Sequence, residues 1–320
     1  MNRKDRIIGQ ILNLAPLIGL AILLVAFLVF AKVKGVNISY SFKNILNQSI
    51  ITMVVATGAI YIYTLGSFDI SLGASMCVSA IVGAMAYNKT ESLLVMLLTC
   101  ILVAVLISLI SSVFASVFNL PVFVTTIAML SLLNALVLVL IKLNNTGDVV
   151  QVPMTAVKSL NTIWFKLLVL IVFIALCVLT FNYMKLGRQE KFVGGNPICA
   201  QLTGINAKGL SIIGFVLAGL AVGLGAFLTI TYAPTLSRNT AGSVGMDVII
   251  SIVFGGMPVS GGARSKIYSA LIGSLSMTLL SQIMLMLNLN SGISQMLKAT
   301  IFILVVYVSM LNNKKNILPR

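Results

Sequence analysis

Six carboxylates, Asp5, Asp69, Glu91, Asp148, Glu190 and Asp247, are the only acids in the chain, and histidine is absent. That stock excludes a Ser-His-Asp triad, an H-E-x-x-H zinc site and an imidazole general base together. The four cysteines, Cys77, Cys100, Cys177 and Cys199, show no C-x-x-C spacing, and three of them stand in apolar runs. They read as small buried hydrophobes, not as a disulfide or metal set. No phosphate-binding G-x-x-x-x-G-K-[ST] occurs; the nearest match, Gly256 to Gly262, lacks the lysine that reaches a phosphate. The chain is therefore expected to be no enzyme, to hold no cofactor or metal, and to hydrolyse no ATP itself.

The remaining chemistry lies in polar breaks between apolar stretches. The first is Gly66-Ser67-Phe68-Asp69-Ile70-Ser71-Leu72-Gly73. A carboxylate at membrane depth costs about 2.5–3.5 kcal/mol on insertion scales, so Asp69, with Ser71 and Gly73, is expected to line a translocation pathway or gate; the alternative is a solvated loop end. The second runs from Thr240 to Asp247 and, after Val248 to Phe254, through Gly255-Gly256-Met257-Pro258-Val259-Ser260-Gly261-Gly262. Irregular backbone at this depth survives only where protein buries it or water lines it, so Asp247, Gly255, Gly256, Gly261 and Gly262 join the candidate pathway. Asp247 alternatively stabilises the positive end of a helix.

The third break lies in a basic loop, Gly187 to Gly204. Asn196 suits an N-cap, Pro197 the first helical position and Gly204 the residue past the end, which predicts a six-residue helix. A helix that short is unstable alone and must dock on something. Gly194, Gly195, Asn196, Pro197, Ala200 and Gly204 are thus candidates for coupling to a partner; the alternative is a connector packed on its own chain.

These breaks are held by an unusually apolar chain. Of 320 residues, 59% are hydrophobic and 8% charged, with a mean hydropathy of +1.11. A soluble domain carries about 25% charged residues, and a transmembrane helix needs about 20 mainly apolar ones. Apolar runs near 10–31, 46–65, 71–88, 92–117, 122–141, 163–183, 210–232, 246–256, 267–287 and 293–311 predict an all-α, polytopic transmembrane helical bundle. It has about ten spans, some of them broken, and both termini in the cytoplasm. Residues 1–320 form a single membrane domain, with a cytoplasmic loop over 184–209. The net charge of +15 comes from basic residues placed singly or in pairs between spans. That fits orientation in a bilayer, not nucleic-acid binding. Arg3, Lys4, Arg6, Lys185, Arg188, Lys191, Lys208, Arg264, Lys266, Lys314, Lys315 and Arg320 mark the cytoplasmic side, and the loop around 142–162, with Asn144, Asn145 and Thr146, is the longest outside. The run after Arg6 is too long for a signal peptide and lacks a cleavage site, so it is expected to remain as the first span. Gly219 and Gly223 offer a small-residue face for close helix contact. Residues 73–83 faintly resemble 262–273, and both follow a glycine-containing break.

Three motifs in order make the chain similar to the permease family of ribose, galactose and xylose ABC importers, over roughly residues 46–311. That family carries G-G-x-D-L-S-V-G where this chain has Gly66 to Gly73. Its G-G-N-x-x-A-A-x-L-x-G-I is matched by Gly194-Gly195-Asn196, Ala200, Leu202 and Gly204-Ile205, with Cys199 in place of the first alanine. Its L-D-x-I-A-A-x-x-x-G-G-x-S-L-x-G-G is matched by Met246-Asp247, Ile249, Gly255-Gly256 and Gly261-Gly262. The resemblance implies a multi-pass permease in the inner membrane, dimeric with a second copy or a paralogue. It also implies a cytoplasmic ATP-binding subunit on another chain and an extracytoplasmic solute-binding protein that delivers a small sugar-like solute. Ser67-Phe68, Ile250-Ser251 and Pro258-Val259 depart from the family pattern, which leaves nucleosides and furanose signalling molecules as alternative solutes. A secondary transporter driven by protons or sodium would need ionisable groups in the membrane, for which only Asp69 and Asp247 are available.

Overall fold

Inside hydrocarbon every backbone N–H and C=O must be paired within the protein, so long apolar runs become helices. The structure, a computed structural model, describes residues 3–144 and 147–314; Met1, Asn145, Thr146, Lys315 and Arg320 lie outside the described residues. In chain order the elements are α1 (Arg3–Val33), α2 (Ile38–Thr64), α3 (Leu72–Thr90), α4 (Leu93–Val117), α5 (Val122–Leu143), β1 (Val149–Gln151), α6 (Met154–Val157) and α7 (Ile163–Val178). They continue with α8 (Lys185–Gly195), α9 (Pro197–Leu202), α10 (Ala207–Tyr232), β2 (Thr235–Ser237), α11 (Val244–Phe254), α12 (Tyr268–Met286) and α13 (Ser291–Lys314). A π-helical turn, Leu179–Tyr183, closes α7.

Among the described residues, seven helices are long and apolar enough to cross a membrane: Leu14–Val33 within α1, α2, α4, α5, α7 with its π turn, α10 and α12. The three other predicted spans fall on α3, α11 and α13. With 11 residues, α11 is about 16 Å long, roughly half of a ~30 Å hydrocarbon core. The irregular stretch 255–267 then brings the chain to the end of α2, where Gly262 N–H donates to Thr64 O at 2.8 Å. The segment predicted as a span at 246–256 is therefore a short helix followed by irregular chain.

Small residues decide which helices sit at the centre. Gly73, Ala74, Ser75, Ser79, Ala80, Gly83 and Ala84 make α3 slim, and all of them are buried. A Cβ on Gly219 would meet Ser108 Oγ at 2.9 Å, and one on Gly223 the Cα of Ile101 at 2.5 Å. The small-residue face of α10 therefore lets the α4 backbone close in, as expected of membrane helices packed without a hydrophobic driving force. On α4 the pattern inverts: Leu94, Leu98, Leu102, Leu106 and Ile110 form an exposed stripe at i, i+4 spacing, while Met96, Cys100 and Ala104 face inward. That is the arrangement for a helix whose outer solvent is lipid.

The predicted outer loop is more ordered than expected. Strands β1 and β2 pair antiparallel, with Val150 opposite Leu236, and Val152 N–H extends the ladder to Pro234 O at 3.0 Å. Both α3 and α12 are 19-residue helices that begin after an irregular stretch.

Candidate functional site

The three breaks meet. A Cβ on Gly261 would fall on the carbonyls of Tyr63 and Thr64 and lie 2.8 Å from Gly66 N, and one on Gly262 would lie 3.1 Å from the backbone of Gly194 and Gly195. Gly261 and Gly262 both have positive φ, +68° and +84°, which a side chain disfavours. The second break thus threads between the end of α2 and the end of α8, at backbone contact. Deeper in the bundle, Gly73 at the start of α3 would clash through a Cβ with Ala241 O and Gly245 N, both at 2.7 Å. Gly255 plays a different part: it packs α11 on α12, where a Cβ would fall on Ser269 O.

Asp69 is not in a solvated loop end; it is 2% exposed. Its Oδ1 accepts from Ser71 N–H at 2.8 Å and Ser71 Oγ at 2.7 Å. The carboxylate therefore ties down the start of α3, supplying the acceptor that the donors of a buried helix end require. Its partner Ser71, also a predicted site residue, is 1% exposed.

Asp247 sits in the first turn of α11, as the helix-start reading expects. It also does more: Lys298 Nζ on α13 donates to its Oδ1 at 2.7 Å. The pair borders a cavity of about 250 Å³ that Ser243, Met246, Ile250 and Gln295 also line. Lys298 and Gln295 were absent from the expected site. The signal was present, since a lysine inside an apolar run demands an acid, and few acids exist here. Another membrane-helix ammonium, Lys166 on α7, is fully covered; it donates to Asn47 Oδ1 at 2.7 Å and Asn161 Oδ1 at 2.6 Å.

The basic loop carries the expected helix. α9 has six residues with Pro197 at its start, and Asn196 Oδ1 accepts from Ile198 N–H and Cys199 N–H, both at 3.1 Å. Gly204 follows with φ +78°. Ala200 faces inward, packed with Val193 and Leu210. Ile198 and Leu202 point away from the protein, 72% and 83% exposed. Preceding α9, α8 was not foreseen as a helix. A Cβ on Gly187 would fall on Phe181 O, which lets the chain turn sharply out of α7.

From α8 the Glu190 side chain enters the bundle and is fully buried. Neither carboxyl oxygen has a hydrogen-bond partner among the described residues. It faces Tyr61 of α2, whose hydroxyl is engaged by Cys177 O at 3.1 Å and by Thr180 Oγ1, and Gly214 of α10. Burial pushes the carboxyl up to about 9, with the neighbouring Lys191 pulling the other way. In the unfolded chain its value is near 4.5, so the folded state holds the proton more tightly. The stability it contributes is complete below about 4.5 and is lost as pH rises through about 9. The parent's thermal midpoint in detergent should fall by a few degrees between about pH 6 and about pH 9. Glu190→Gln should flatten that slope; an unchanged slope would show that another group is responsible.

A family model described as "Branched-chain amino acid transport system / permease component" matches residues 41–306. The chain is 32% identical over 308 residues to a probable ABC transporter permease protein, YphD, of Escherichia coli, covering 93% of this chain and 90% of that protein. It is 25% identical over 283 residues to the ribose import permease protein RbsC of Escherichia coli, covering 85% of each. It is 28% identical over 284 residues to the L-arabinose transport system permease protein AraH of the same organism, covering 85% of this chain and 80% of that protein. No solved structure matches.

Proposed function

The chain belongs to the branched-chain amino acid transport system / permease component family, and on that premise we propose that it is the membrane-spanning subunit of an ABC importer. It admits a monosaccharide-class solute, drawing on ATP hydrolysed by a separate cytoplasmic subunit. An extracytoplasmic binding protein delivers the solute, and a second permease copy or paralogue completes the pathway in the inner membrane. The ribose and L-arabinose named for two relatives support the solute class.

The observation that carries this reading is α9. A six-residue helix gains too little from its own hydrogen bonds to be stable, yet it is capped at both ends and holds Ile198 and Leu202 out into water. Two exposed branched apolar side chains in a basic loop suit insertion into a groove on another protein. Glycines at 194, 261 and 262 bring the base of this helix into backbone contact with the breaks in the membrane. A push on α9 is therefore felt at the end of α2 and at the second break.

Proteoliposomes decide the matter. With the ATP-binding subunit and binding protein present, D-ribose should accumulate only when ATP is supplied. This chain alone should accumulate nothing under a proton gradient. Accumulation by the isolated chain would make it an ion-coupled transporter and overturn the proposal. Uptake of a nucleoside but not of ribose would replace the solute class.

A further inference from the structure

The ion pair of Asp247 and Lys298 is not sealed: its side chains remain 17% and 12% exposed. Its depth follows from packing. Ser251 lies against Gly273 and Gly255 against Ser269, so α11 and α12 run antiparallel, and Asp247 lies one turn, about 6 Å, farther from the end where the breaks meet. That level is opposite the middle of α12. An ionised group facing lipid there costs about 2.5–3.5 kcal/mol, so such groups face protein or water. Yet α13, which carries Lys298, is packed mainly on α11, and Ile293, Met296 and Leu297 beside it are exposed. The cavity beside the pair therefore opens on a flank of the bundle at mid-depth, and it must be wet or covered by another subunit.

We infer that this cavity between α11 and α13 is a contact site for the transported solute, and that it selects neutral polyhydroxylated molecules. The inference rests on the importer reading. Asp247 supplies an acceptor, Lys298 donors, Gln295 and Ser243 both, and Met246 with Ile250 an apolar wall. Alternating polar groups and carbon–hydrogen faces are what a sugar ring presents. Because the two charges already satisfy each other at 2.7 Å, a neutral solute adds hydrogen bonds without separating them. A cation meets Lys298, an anion meets Asp247, and an amino acid zwitterion must split the pair. The volume of about 250 Å³ lies just below the roughly 300–1,000 Å³ of sites for drug-sized ligands, which fits a smaller solute.

The test uses the whole importer in proteoliposomes, with D-ribose and L-leucine as probes. Gln295→Leu should lower ribose uptake at sub-saturating ribose by about fivefold to tenfold, the effect of losing one hydrogen-bonding group. Gln295→Cys supplies a readout that does not depend on transport: a membrane-impermeant thiol reagent added outside should label it above the parent background, and ribose turnover should slow the labelling. If the parent imports ribose while Gln295→Leu is unaffected and Gln295→Cys is never labelled, the site is wrong. If the parent imports leucine in preference to ribose, the solute class is wrong. A parent with no ATP-dependent uptake of either sinks the importer reading itself.

Discussion

Gly273→Leu is expected to leave almost no folded protein in the membrane. A side chain on Gly273 would be driven into Ser251 O, with Gly255 N 3.0 Å away, and Gly255 is pressed in the same way against Ser269 O. These obstacles are backbone, which cannot rotate aside as a side chain can. Overpacking a core usually costs about 1–3 kcal/mol, and this contact exceeds that case because two helices must separate along their length. Separation would also open the seam on which α11 is held, and with it the placement of Asp247. The monodisperse fraction on size exclusion in detergent should fall by about tenfold or more for Gly273→Leu. Gly292→Ala is the control, since its Cβ would meet nothing closer than Asn290 Oδ1 at 3.6 Å. Parent-like yield for Gly273→Leu would mean that the close approach of α11 and α12 is not as described.

The second large effect divides two adjacent glycines. Gly194→Ala places a methyl group on Thr64 O and 3.0 Å from Gly262 N, and the hydrogen bond between those two atoms pins the second break to α2. A Cβ on Gly195 meets nothing within 4 Å. Gly194→Ala should therefore disturb the fold and remove uptake, by about tenfold or more. Gly195→Trp should fold with parent-like yield and lose ATP-driven uptake by a similar factor, because its open side faces the solvent that a partner would occupy. Equal loss of folded protein in both variants would assign the pair a purely structural role. Normal uptake by Gly195→Trp would remove this residue from the coupling surface.

Much of the local structure was legible without coordinates because its causes are local. The cap of α9 needs only Asn196, Pro197 and Gly204 within a few residues of one another, and the bonds from Ile198 and Cys199 to Asn196 follow from that spacing. The spans were legible for a similar reason, since a bilayer requires length and apolarity and both are read along one segment. α8 was hidden because its sequence, KLGRQEKFVGG, contains three glycines and is too polar on average to stand out as a span; it is helical because Glu190 and Val193 dock into the bundle. The β1–β2 ribbon joins residues 149 and 237, too far apart for any local signal.

The candidate site divides along the same line. Composition alone determined that the chain is a polytopic helical membrane protein without histidine chemistry, because those are matters of which side chains exist. The order of three glycine-rich motifs determined which relatives to expect. Only the tertiary structure decided that Asp69 secures its own helix, that Asp247 is paired with Lys298, that Glu190 is buried with no hydrogen-bond partner among the described residues, and that Gly194 and not Gly195 is the tight contact. Burial and pairing depend on which faces meet, and in a membrane, where most long side chains are apolar, small residues on distant helices make that choice.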